Sequence, residues 1–380
     1  MKRVYWRPPG VSRSALLLIA ALALGALFIV ESFPVQTRQR YYDEKIAAAH
    51  KAREAMGAIK SERQRRGAVI DPEIDPAGSG MIGSALTAVT SNTGYLDAKQ
   101  TSANPNFAAV IVDLLKRAGV EKGDLVAIGL SGSFPALNIA TFAAVHVLEL
   151  QPIAISGVSS SEWGANDPDL LWVDMERILV EKNVFRFRSV AASRGGIDDR
   201  GFGMSKEGRA LLEAGIARNG LQLIDPKSLN DSIEQRMQVY EEQARGRPIK
   251  AYINIGGSTA SVGTHVGKKQ FEPGLNRELP RGSGVVDSVM VRFVSRDIPV
   301  LHVTQVKELA KKYGLPERPD ALPRIGESAV YVKAEYNRWL AGVGAALILA
   351  AMLAFIRLDL GIRILRSRRS RASTQPQQMV

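Results

Sequence analysis

The spacing of apolar residues divides the chain. Two stretches, 14–30 and 339–356, are continuously apolar and contain no Asp, Glu, Lys or Arg. A helix needs ~20 apolar residues to cross a bilayer, with ~17 at the short end. Both stretches therefore read as membrane helices. Between them the pattern changes. Residues 38–66 are rich in Ala, Lys, Arg and Glu and lack proline, and Tyr42, Ile46, Ala49, Met56 and Ile59 fall near one helical face. That spacing predicts a stalk helix, continuous or nearly so with the first membrane helix, which Pro72 and Pro76 then break.

Beyond residue 100 short apolar runs alternate with amphipathic segments. Helices are predicted over 104–119, 135–148, 167–181, 206–219, 227–245 and 284–294, and strands over 124–130, 152–156, 185–190, 249–255 and 298–303. In the third helix Asp167 is expected as N-cap and Pro168 in the first turn. Repeated strand–helix order argues an α/β fold, a mostly parallel sheet with helices on both faces (Rossmann-like). One N-terminal and one C-terminal transmembrane helix flank it. The expected organisation is a cytoplasmic N-terminus (1–13), a membrane helix (14–30), a juxtamembrane stalk (31–70), an extracytoplasmic α/β domain (71–337), a second membrane helix (338–356) and a basic cytoplasmic tail (357–380).

A net charge of +12 invites a nucleic-acid or anionic partner. Its location removes most of that reading. Lys2, Arg3, Arg7 and Arg13 precede the first apolar stretch, and six arginines against Asp359 follow the second. Basic residues beside membrane helices are retained in the cytoplasm, so both ends read as cytoplasmic in a plasma or inner membrane. The intervening region is nearly balanced and has no basic stripe interleaved with aromatics, which argues against nucleic acid. A cleaved signal peptide fits less well, because no small-x-small site follows the first apolar run. The chain has no cysteine, which excludes disulfides and thiol chemistry. His50, His146, His265 and His302 show no metal-ligand spacing. No metal or cofactor is expected.

In sheets of this type ligands bind at the carboxyl ends of strands. Three predicted strand ends are small and polar. The first carries Ser131, Gly132 and Ser133, with Pro135 opening a helix and Asn138 one turn inside it. Free N–H groups at such a corner favour an anion. The fragment approaches the G-x-S-x-G nucleophile elbow, with Ser133 in place of the last glycine, and it resembles the Ser-Gly-x-Ser loop of sugar isomerase domains. Capping of the helix by Ser133 is the plain alternative. The second loop carries Ser160, Trp163 and Asn166, where Trp163 reads as a lid, a stacking surface or a core residue. The third is Gly256, Gly257, Ser258 and Thr259, a curl without the lysine of a P-loop. Ser131 as nucleophile with His265 as base is the weaker, catalytic reading. Asp174 and Glu176 lie two apart on a helix and point in different directions, a poor carboxylate pair.

The runs from Thr101 to Ala109, from Ser131 to Asn138 and from Ser161 to Asn166, with Asp174, Glu176 and the Gly-Gly-Ser at 256–258, resemble the poly-gamma-glutamate system protein family. The resemblance implies an accessory, non-catalytic membrane component of poly-gamma-glutamate synthesis or export. Its implied partners are the synthase ligase subunit, that subunit's multi-pass membrane partner and the anionic polymer. The alternatives are a serine hydrolase or transferase acting on the polymer, or an anion- or phosphosugar-binding module.

Overall fold

The computed structural model describes residues 13–264, 267, 270–280 and 284–357. The basic flanks at 1–12 and 358–380, and His265, lie outside the described residues. The chain forms two compact units, one from Met1–Thr37 with Lys333–Val380 and the other from Arg38–Val332.

In the first unit the apolar helices Arg13–Ser32 and Arg338–Arg357 pack together. A Cβ on Gly344 would stand 3.0 Å from Ala26 Cβ, so glycine sets that approach. Leu17, Leu24, Phe28, Val343, Leu347 and Leu349 are exposed. By length and composition one helix of the described residues, over Arg338–Phe355, is sufficient to cross a membrane. The apolar part of the other, Leu16–Ser32, is shorter.

The second unit is built on a seven-stranded sheet: β1 (Leu125–Ser131), β2 (Gln151–Gly157), β3 (Ala191–Ser193), β4 (Gln222–Ile224), β5 (Ile249–Ile255), β6 (Gly274–Asn276) and β7 (Val300–Val303). Their spatial order is β6-β7-β5-β1-β2-β3-β4. All neighbours run parallel except β6, which is antiparallel to β7. Alternation along each strand feeds two cores. Val126, Ile128 and Leu130 face one, and Leu125 and Ala127 face the other. The mostly parallel α/β sheet, covered on both faces, is thus as the pattern predicts.

The helix Tyr42–Arg65 belongs to this unit and is not continuous with the first apolar helix. Phe33, Pro34 and the strand Val35–Arg38 separate it from the first apolar helix. Ala48, Ala49, Ala52 and Ala55 are fully buried where it packs against helices Phe107–Ala118 and Pro135–Val147. Ala52→Leu is expected to overpack this contact and cost about 1–3 kcal/mol, read as a lower Tm. The unit's two ends also meet. Gln39 N–H donates to the Tyr331 carbonyl at 2.8 Å, and the buried Lys45 ammonium donates to the Val330 carbonyl at 3.1 Å and to Asp113 at 2.8 Å.

Three predicted elements start elsewhere. The helix expected from 167 is Trp172–Glu181. Asn166–Asp167 pairs antiparallel with Leu170–Leu171, which turns Pro168 and Asp169 into a hairpin, and the Asp174 carboxylate accepts Leu171 N–H at 2.8 Å. No strand forms over 185–190. Phe185 and Phe187 instead stack on one another and meet Phe142 edge-on, and Ser189 N–H goes to Glu176 rather than to a neighbouring strand. The helix expected from 284 is Val289–Val294, capped by Ser288.

Candidate functional site

The strand order reverses at β1. The chain leaves it for β2 on one side and later returns through β5 on the other. A crevice at the carboxyl ends is the usual consequence. The structure has a cleft of about 610 Å³ there, within the ~300–1,000 Å³ of small-molecule sites. Ser131 at the end of β1 and Ser133 beyond it line the cleft together with Gly257, Ser258 and Thr259 beyond β5. The segment Gly195–Asp198 beyond β3 forms another wall. Among the described residues the charged side chains on its surface are Lys99 and Asp198.

The remaining sequence candidates hold the cleft's frame. Gly132 lies where a Cβ would stand 2.7 Å from the Val158 carbonyl and 2.9 Å from the Ser159 carbonyl. Only glycine permits that approach. Asn138 is buried and its amide donates to the Ser131 carbonyl at 2.8 Å. Ser160 is buried and donates to the Ser161 carbonyl at 2.7 Å. Asn166 staples Ser84 and Thr90, accepting Ser84 N–H at 3.0 Å and donating to Thr90 Oγ1 at 3.0 Å. Trp163 lines a smaller cavity beside Arg63 and Ile74, and its backbone N–H donates to the Ser84 carbonyl at 2.9 Å. Gly256, with φ at 79°, sits beside Phe134 and Ser131, and its N–H donates to the Val303 carbonyl at 3.0 Å.

Three N–H groups of the first loop, where a cradle is expected, are already engaged. Gly132 N–H donates to the Gly157 carbonyl, Ser133 N–H to Ser131 Oγ and Phe134 N–H to the Ser131 carbonyl. The parallel pairing of β1 with β2 runs on to engage Gly132, and a local turn about Ser131 takes the other two. Hydroxyls take their place in the cleft. Two of them, Ser159 Oγ and Ser258 Oγ, are buried without a hydrogen-bond partner, although a buried polar atom left unpaired costs about 1–3 kcal/mol. Ser159 and Ser258 both line the cleft.

Two groups that the apolar pattern does not single out stand at the floor. Lys99, on the short helix Leu96–Ser102, is 3% exposed. Its ammonium donates to Ser161 Oγ at 2.8 Å and to the Ser133 carbonyl, and lies 4.2 Å from the centre of the Phe134 ring. Burial pushes it down to about 7, opposed by the Glu162 carboxylate. Ser161 is held by its own N–H, which donates to Ser133 Oγ at 3.0 Å, and by the pairing of Ser160–Ser161 with Thr90–Asn92.

Other polar groups lie away from the cleft. His302, on β7, bonds to Asn254 at 2.9 Å, and burial pushes it down to about 4. His146 packs edge-on against Phe185. Asp174 and Glu176 diverge as their spacing predicts. Asp174 takes Arg218 and Asn219, while Glu176 takes Ser189 and Ser156. Among the described residues no cluster of three His, Asp or Glu side chains could hold a metal. No protein-family model matches the chain, and neither does any curated protein or solved structure.

Proposed function

We propose that this chain is a membrane-anchored accessory component of poly-gamma-glutamate synthesis or export. The α/β unit holds the anionic polymer, or its end, in the cleft at the strand ends. The apolar helices anchor the chain and dock the synthase ligase subunit with its multi-pass partner. The observation that carries the reading is the pair of unpartnered hydroxyls, Ser159 and Ser258, in a cleft at the reversal of strand order. Hydroxyl donors suit carboxylate oxygens spaced along a chain, and each such bond to a charged acceptor contributes about 1.5–3 kcal/mol. The outward-facing leucines and phenylalanine of the first unit support the anchor.

The full chain in detergent should bind oligo-gamma-glutamate, and the Ser159→Ala, Ser258→Ala double variant should bind about tenfold or more weakly. Equal affinity in the two proteins would remove the cleft from the reading. Topology is open to a direct check, because the chain has no native cysteine to remove. A membrane-impermeant maleimide should label Ser61→Cys on intact cells and Ser373→Cys only after lysis. The reverse pattern would invert the orientation.

A further inference from the structure

A buried amine and a buried hydroxyl meet at the cleft floor, apart from the hydroxyls assigned to ligand binding. We propose that Ser161 and Lys99 form a nucleophile–base pair for acyl transfer, attacking an amide or ester carbonyl of the ligand in the cleft. The geometry rests on Lys99 Nζ standing 2.8 Å from Ser161 Oγ, with both residues lining the cleft and Ser161 only 7% exposed. The substrate class, a polyamide bearing carboxylates, rests on the polymer reading above; the pair itself does not.

The two groups are held from independent sides. Lys99 is fixed by the Ser133 carbonyl and the Phe134 ring. Ser161 is fixed through its backbone N–H by Ser133 Oγ. The residue at the end of β1 that sequence favours as nucleophile is differently placed. Among the described residues Ser131 Oγ has Ser133 N–H, at 3.2 Å, as its side-chain hydrogen-bond partner and no lysine or histidine. Ser161, by contrast, has an amine within reach, that of Lys99.

A serine hydroxyl is a weak nucleophile until an adjacent base takes its proton. A lysine acts as that base only when neutral, which burial favours. Of the nearby carboxylates, Glu162 accepts Gly94 N–H at 3.0 Å, Asp97 on the helix of Lys99 is paired with Lys307 at 2.8 Å, and Asp198 stands on the cleft wall. Glu162 opposes the neutral form, and burial outweighs it. In the step, Ser161 Oγ bonds to the carbonyl carbon as its proton passes to Lys99 Nζ. The tetrahedral adduct then breaks its C–N bond, and the leaving amine takes that proton from Lys99. An acyl ester remains on Ser161. Water, or the amine of a second chain, attacks it and delivers a proton through Lys99 back to Ser161 Oγ.

The test is labelling of the full chain in detergent with a fluorophosphonate, located by peptide mass spectrometry, alongside oligo-gamma-glutamate binding. The expected result is an adduct on Ser161 in the folded chain and none on Ser161 after heat denaturation. Ser161→Ala should carry no adduct. Lys99→Met should label about 100-fold more slowly. The wild-type labelling rate should rise with pH around a midpoint near 7, which decides the matter even if Lys99→Met does not fold. No adduct on Ser161, or a rate that rises only around pH 10, overturns the pair. If polymer binding persists then, the binding reading stands without it. Labelling of Ser161 without polymer binding supports the pair and sinks the polymer as substrate.

Discussion

Arg236→Ala is expected to cost the α/β unit about 3–5 kcal/mol, because it leaves a carboxylate buried without its counter-charge. Arg236 and Asp199 are both almost wholly buried. The guanidinium Nε donates to Asp199 Oδ2 at 2.9 Å and one terminal nitrogen donates to Oδ1 at 3.1 Å. Ser232 and Ser193 complete the carboxylate's shell at 2.6 and 2.7 Å. Removing the arginine strands all of these groups. Asp199 also holds a left-handed backbone, with φ at 62°, in the loop that carries Gly195–Asp198 to the cleft. Loss of its anchor should therefore weaken ligand binding as well. Arg236→Lys keeps the charge but not the planar fork, and should fall between the two. Denaturant midpoints at constant m-value measure the cost. A loss under ~1 kcal/mol would mean that Asp199 finds another partner or takes up a proton.

Glu176→Gln should flatten the pH dependence of stability between about pH 4.5 and 7. Burial raises this carboxyl from 4.5 to about 7, against the lowering pull of its bonds to Ser189 and Ser156. Below pH 4.5 it is protonated in both folded and unfolded chains. Between 4.5 and 7 the unfolded chain ionises while the folded one keeps its proton, so stability falls as pH rises. The whole window amounts to about 3 kcal/mol. Glutamine cannot ionise, so this component vanishes and the variant gains most relative to wild type above pH 7. Thermal unfolding of both proteins at pH 5 and 8 reads the difference. An unchanged slope would place the carboxyl's ionisation at its ordinary range.

The sheet was legible because β1, β2 and β5 are long apolar runs bounded by small residues. The edge strands β4 and β6 were not, at three residues each, since no periodicity fits in so short a run. The hairpin at Asn166–Leu171 was hidden by a better local signal, Asp-Pro before an apolar stretch, which tertiary pairing overrides. In the site, Ser131, Ser133, Gly257, Ser258 and Thr259 could be placed from strand ends alone. Asn138, Asn166 and Gly132 share the same polar, small character but brace the loops, a difference set by which way each side chain points. Lys99 left no trace in the pattern. Its helix spans seven residues, and its burial depends on Phe134 and Ser161, which are distant in sequence.

The closure of Gln39 onto Tyr331 makes the α/β unit a cassette. Entry and exit lie one hydrogen bond apart, so a short turn in place of residues 38–332 would bridge the gap without stretching the chain. The same closure acts as a mechanical clasp. Tension between the two ends loads the pairing of Val35–Arg38 with Val332–Glu335 first, then the Gln39 and Lys45 bonds, before it reaches the sheet. A force passed along either flank then reaches the cleft only after the clasp has opened.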